Sequence, residues 1–331
     1  MELANTRGQS TGPSHSLVQI MRLHPLLCYF LMALGLTWAF ELPALILWHP
    51  SDPYHWMAPI LLFGPALSAL LMTAVLEGKS GVGRLLRGYV LLRVGLPWYL
   101  FVLLGIPALI LLSALTVPGA VATFRAPAPL FLPTCVLIYL YILTLGGPLG
   151  EELGWSGFAL PRLQQRYGPM AGTLLLGSLW GLWHLPLFLF IPEFNGAGTG
   201  FLGIGLPFVE FVIFAVALRF LITWVFNNVR GSLLLVLLLH TSYNAGSYLF
   251  PSLVQLVNVN IYLVFVAVAV LIIVATRGRL SYQRYQRETA LPAPVTDREQ
   301  EQGERRRTAA EAGAAEPRGE PFSVSHRFEH Q

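Results

Sequence analysis

Charge is scarce in this chain. Only 11% of its 331 residues are Asp, Glu, Lys or Arg, against about 25% in an ordinary soluble domain. With 55% hydrophobic residues and a mean hydropathy of +0.61, that scarcity excludes a water-soluble globular fold and indicates a polytopic membrane protein. Cysteine is nearly absent. Cys28 and Cys135 both lie in apolar runs, which excludes a disulfide framework and a CxxC metal or redox centre. No basic patch with interleaved aromatics occurs, so nucleic acid is not an expected partner. HExxH is missing, and with it the usual zinc-protease helix. The polar N-terminal segment has no short apolar core followed by a small-residue cleavage site. The first span is therefore expected to act as its own insertion signal.

The charge that exists is unevenly placed. The net charge is +4, yet ten Arg and nine acidic residues fall between Arg277 and Gln331. The expected organisation is an N-terminal cytoplasmic segment (1–24), a membrane domain (25–276) and a disordered charged tail (277–331), because the tail has too few core-forming residues to fold. A helical span needs roughly 20 apolar residues. Eight candidates meet that need, near Pro25–Trp48, Ala58–Leu76, Leu96–Val117, Leu130–Leu153, Met170–Ile191, Phe201–Phe226, Leu233–Phe250 and Leu256–Thr276. Gly146-Gly147-Pro148 should break the fourth. Lys and Arg concentrate in alternate loops, with Lys79, Arg84, Arg87 and Arg93 after the second span, Arg162 and Arg166 after the fourth, and Arg230 after the sixth. This asymmetry predicts a multi-pass protein of the cell membrane with both termini cytoplasmic.

Between Lys79 and Pro192 the only acids are Glu151 and Glu152. An ionisable residue in or beside a span is costly and marks a candidate functional site. Neighbouring helical residues point about 100° apart, so one glutamate can face a cavity while the other meets a supporting partner. A carboxylate in a poorly hydrated cavity can serve as a general base toward water. The plainer account is a pair of headgroup-level caps. His184 lies inside the fifth span, with Trp180 one turn earlier on the same face and Pro186 freeing a nearby carbonyl. Its plainer account is a core histidine bonded to a neighbouring helix. His240 and Asn244 share a face of the seventh span at i,i+4, as donors to a developing oxyanion would. Their plainer account is polar glue between spans. A base, an imidazole and an amide donor together are the parts needed for water attack on a carbonyl. Glu151, His184 and His240 could instead form a His₂Glu zinc site drawn from separate helices. Glu41 and Glu210 are read as substrate-path or structural groups, and Arg219 as a side chain that snorkels to the interface.

These three motifs, Glu151-Glu152-Leu153-Gly154-Trp155-Ser156, Trp180-Gly181-Leu182-Trp183-His184 and His240-Thr241-Ser242-Tyr243-Asn244, resemble the CPBP family. That family comprises membrane proteases including the CAAX prenyl endopeptidases of the Rce1 type and the bacterial Abi proteins, with the pattern EExxxR, FxxxH and HxxxN on successive spans. The likeness covers about 130–247. It implies an all-α fold of about eight transmembrane helices with a cavity open to the cytoplasm, and an endopeptidase acting on a membrane-associated peptide or protein. In that analogy Glu151 activates water with help from His184, His240 and Asn244 stabilise the oxyanion, and Glu152 supports. No cofactor is required, zinc being the alternative.

Two positions depart from the pattern. Trp180 stands for Phe and keeps an aromatic wall. Ser156 stands for the Arg that would sit at i+4 from Glu152. Glu152 is then expected to be protonated or to pair with Arg162 or Arg166. The missing Arg also motivates a second reading, a non-catalytic bacteriocin-immunity or partner-binding protein on the same scaffold. A third is a proton-coupled transporter relaying protons through its Glu and His residues.

Overall fold

The computed structural model describes residues 13–47, 63–120, 131–191, 194, 200–249 and 251–289. The beginning of the second expected span and residues 290–331 of the tail lie outside the described residues. Within them the chain is helical and contains no strand. In chain order the helices are α1 (Pro13–Leu23), α2 (Pro25–Leu47), α3 (Gly64–Arg87), α4 (Leu96–Leu100), α5 (Ile106–Leu115), α6 (Phe131–Leu145) and α7 (Pro148–Glu152). They continue with α8 (Leu160–Trp183), α9 (Leu185–Phe190), α10 (Leu206–Asn228), α11 (Leu233–Leu249), α12 (Pro251–Ala275) and α13 (Tyr282–Thr289).

Among the described residues, five stretches are long and apolar enough to cross a membrane: Pro25–Leu47, Leu96–Leu115, Phe131–Phe190, Phe201–Asn228 and Val257–Ala275. The chain is an all-α polytopic membrane protein. Large apolar side chains such as Leu31, Phe40, Leu137, Leu263 and Leu271 point outward, as they would toward lipid and not toward water. α11 differs. It is apolar yet shorter, and Leu233, Leu235, Val236, Leu237 and Leu239 are all buried. A helix that is hydrophobic all round belongs in the interior.

Glycine sets the turns that bring the site together. The fourth expected span breaks where Gly146-Gly147-Pro148 predicts: α6 ends at Leu145, Gly147 takes φ 104°, and Pro148 opens α7. A positive φ there costs glycine nothing. α7 then leads into a π-helical stretch, Leu153–Ala159, a rare widening of the helix that is frequent at functional sites. Gly154 in this stretch lies against α3, where a Cβ would press on the Tyr29 hydroxyl and come within 2.5 Å of the Pro65 carbonyl. A second break, at Gly168 (φ 78°) before Pro169, divides α8. The two halves fold back on each other, since a Cβ on Gly172 would lie 2.9 Å from the Leu163 backbone.

The second half of α8 runs antiparallel to α10 at very short range. Gly181 faces Val212, and Gly177 faces Val216 and Arg219. Further along, Thr173 donates to Thr223 across 3.2 Å. Gln164 and Asn227 exchange two amide hydrogen bonds of 3.1 and 2.8 Å. Small residues permit close backbone approach, and polar pairs hold it where water is absent.

Residues 277–289, expected from composition to be part of a disordered tail, pack against α10. Asn227 also donates to the Leu280 carbonyl at 2.8 Å, Leu280 is fully buried, and Tyr285 of α13 packs on Phe226 with ring centroids 5.2 Å apart. Residues 277–289 are thus ordered, because a few aromatic and apolar side chains dock them although their surroundings are highly charged.

Candidate active site

Trp180 is the hub of the expected site residues. It sits on α8 with only 3% of its surface exposed. Its indole Nε1 donates to Glu151 Oε2 at 2.6 Å. Its ring lies edge-on to His184 and to His240, with centroids 5.5 and 5.4 Å away. The Arg219 guanidinium covers its face at 4.5 Å. Glu151, His184 and His240, which come from three different helices, therefore gather around one side chain.

His184 ends α8. Its backbone N–H bonds to the Gly181 carbonyl at 3.1 Å, a tighter turn than the α-helical one. Nδ1 lies 2.8 Å from the Trp180 carbonyl. A carbonyl only accepts, so Nδ1 carries the hydrogen, and Nε2 is left as the free ring nitrogen. Trp183 and Phe211 close around the ring with centroids at 4.7 and 4.9 Å. The α8 end is further held by Trp38 of α2, whose indole donates to the Trp183 carbonyl at 2.9 Å.

Glu152 faces the other way and is fully buried. Its two oxygens accept from Arg219, Nη1 to Oε2 at 3.1 Å and Nη2 to Oε1 at 3.2 Å. The Ser156 hydroxyl donates to Oε2 in a short contact, and accepts from Arg219 Nη1 at 3.2 Å. His240 Nδ1 lies 2.9 Å from Oε1. Glu152 thus fixes the His240 ring through Nδ1. A two-point guanidinium–carboxylate pair is among the stronger polar contacts. Breaking such a pair inside the fold is strongly destabilising.

This corrects two expectations. Glu152 does not pair with Arg162 or Arg166. Arg162 instead bonds to Glu77 and to the Phe158 carbonyl, and Arg166 lies over Tyr167. Arg219 does not snorkel: it is fully buried. Its position in a long apolar run was the available signal, since a cation that cannot reach the interface must find an anion. Trp180 also does more than line a wall, because its N–H holds Glu151.

Asn244 is half-buried on α11 and makes no hydrogen bond among the described residues, so no contact ties it to the Trp180 cluster. Glu41 is buried, with Oε2 unpartnered among the described residues. Glu210 lies half-buried in the first turns of α10. Among the described residues no three His, Cys, Asp or Glu side chains are arranged to hold a metal ion.

The fold and the site define a helical membrane protein with a buried glutamate–histidine centre. Residues 133–246 match the family of type II CAAX prenyl endopeptidase Rce1-like proteins. The CAAX prenyl protease 2 of Methanococcus maripaludis is 27% identical over 208 residues, covering 59% of this chain and 73% of that protein. The resemblance to the CPBP family is borne out, over the segment that holds both glutamates and both histidines. These similarities support an intramembrane protease.

Proposed function

We propose that the chain is an intramembrane endopeptidase that hydrolyses a peptide bond of a membrane-associated substrate, with a C-terminal prenylated CAAX-type peptide as the first substrate class to test. Glu151 takes the proton from the attacking water, and His184 assists through Nε2. His240 and Asn244 donate to the developing oxyanion, and Glu152 holds His240 in place. Eight spans with both termini cytoplasmic, and a cavity facing the cytoplasm, complete the reading. The Lys/Arg asymmetry of the loops supports that orientation.

The observation that carries this reading is the shared contact at Trp180. One indole holds the Glu151 carboxylate and meets both imidazoles in T-shaped contacts. With Nδ1 of each histidine engaged, neither Nε2 has a hydrogen-bond partner among the described residues. His240 can donate from Nε2 only when both of its ring nitrogens carry a hydrogen.

The test is cleavage of an internally quenched farnesylated CAAX peptide by the purified full chain in detergent micelles. Glu151→Gln should lower kcat by about 10²–10⁴-fold. Wild-type turnover in that variant would remove Glu151 from water activation. A non-prenylated membrane peptide run in parallel separates the substrate question from the catalytic one.

A further inference from the structure

We infer that Arg219 takes over the role of the arginine that the family pattern carries at position 156, and that Ser156 and Trp180 are its fitted partners. The chain's two departures from the pattern are then one device. An arginine at 156 would reach Glu152 from one turn along the same helix. Arg219 reaches the same carboxylate from α10, at 3.1 and 3.2 Å on its two oxygens.

Ser156 is small enough to leave that space open, and its hydroxyl joins the two groups, donating to Glu152 and accepting from Arg219. A second buried guanidinium here would face one shared carboxylate and leave a cation uncompensated, which is costly in the interior. Trp180 supplies the plane on which the arriving guanidinium stacks, as arginine prefers. The same indole holds Glu151, so Arg219 positions both glutamates, one directly and one through Trp180. Access for Arg219 depends on Gly177, whose missing side chain lets α10 come close.

Arg219 is a positioning residue. Its kinetic consequence rests on the endopeptidase reading, while its structural consequence does not. The experiment compares Arg219→Ser, Ser156→Arg and the exchanged pair Ser156→Arg/Arg219→Ser in the purified full chain. It reads the thermal midpoint in micelles and the cleavage of the farnesylated peptide. Each single variant should lower the midpoint and reduce kcat at least about tenfold, with KM little changed. The exchanged pair should recover both. No recovery of a folded exchanged pair above Arg219→Ser overturns the inference.

Arg219→Lys and Arg219→Met cover the case in which the exchanged pair does not fold. Lys should retain kcat within about tenfold of wild type and Met should not, since a compact cation replaces only part of the fork. Wild-type kcat in Arg219→Met overturns the inference. If no form cleaves the peptide, wild type included, the thermal midpoints of the three variants still decide it. The failure then belongs to the endopeptidase reading.

Discussion

Gly177 of α8 faces Val216 of α10 so closely that a Cβ on the glycine would lie 2.8 Å from the Val216 Cα. The obstacle is backbone, which cannot rotate aside. Gly177→Ala should push α10 outward and draw Arg219 from Glu152. The overpacking cost is about 1–3 kcal/mol, which exceeds the roughly 1 kcal/mol gained in helix propensity. A lowered thermal midpoint with reduced kcat is expected, and an unchanged pair of values would refute this packing account.

Trp180→Phe restores the family's residue and keeps an aromatic face, but deletes the N–H that Glu151 accepts at 2.6 Å. Leaving a buried carboxylate oxygen without its donor costs about 1–3 kcal/mol. Steady-state kinetics should show kcat lowered by about 10- to 100-fold, with little change in KM. A Phe variant as active as wild type would mean that the indole N–H is dispensable.

Glu152→Gln changes the acceptor that fixes His240 Nδ1 and removes the anion paired with Arg219. Replacing the carboxylate that orients a catalytic imidazole can lower kcat by about 10⁴-fold. The expected loss is therefore comparable to that of Glu151→Gln, and the double variant should be far less than additive. Multiplicative losses across the two single variants would show that the glutamates act separately.

If Glu151 activates water without a metal, prolonged chelation should leave peptide cleavage at its starting rate. Loss of activity that zinc alone restores would favour the zinc alternative with Glu151, His184 and His240.

Much of the fold was legible because hydrophobic length is a strong signal. Pro25–Leu47, Leu96–Leu115 and Phe201–Asn228 fall close to the expected spans, and the break at Gly146-Gly147-Pro148 followed from backbone chemistry alone. The motif residues were legible by their rarity in apolar sequence. Contacts across helices were not. Nothing along the chain places Arg219 against Glu152, because their pairing depends on the register of α8 on α10, set by Gly177, Gly181, Thr173 and Thr223. The same holds for Arg162, whose nearness to Glu152 in sequence suggested a pairing that Glu77 takes instead. Residues 277–289 misled through composition, which averages over the few side chains that dock.

The hydrogen bond from Asn227 to the Leu280 carbonyl has a practical corollary for shortening this protein. A truncation ending at the last apolar span, near Ala275, would strip the acceptor from an amide buried beside the α8–α10 seam and uncover Phe226. A cut beyond Thr289 would keep that acceptor and the whole of α13.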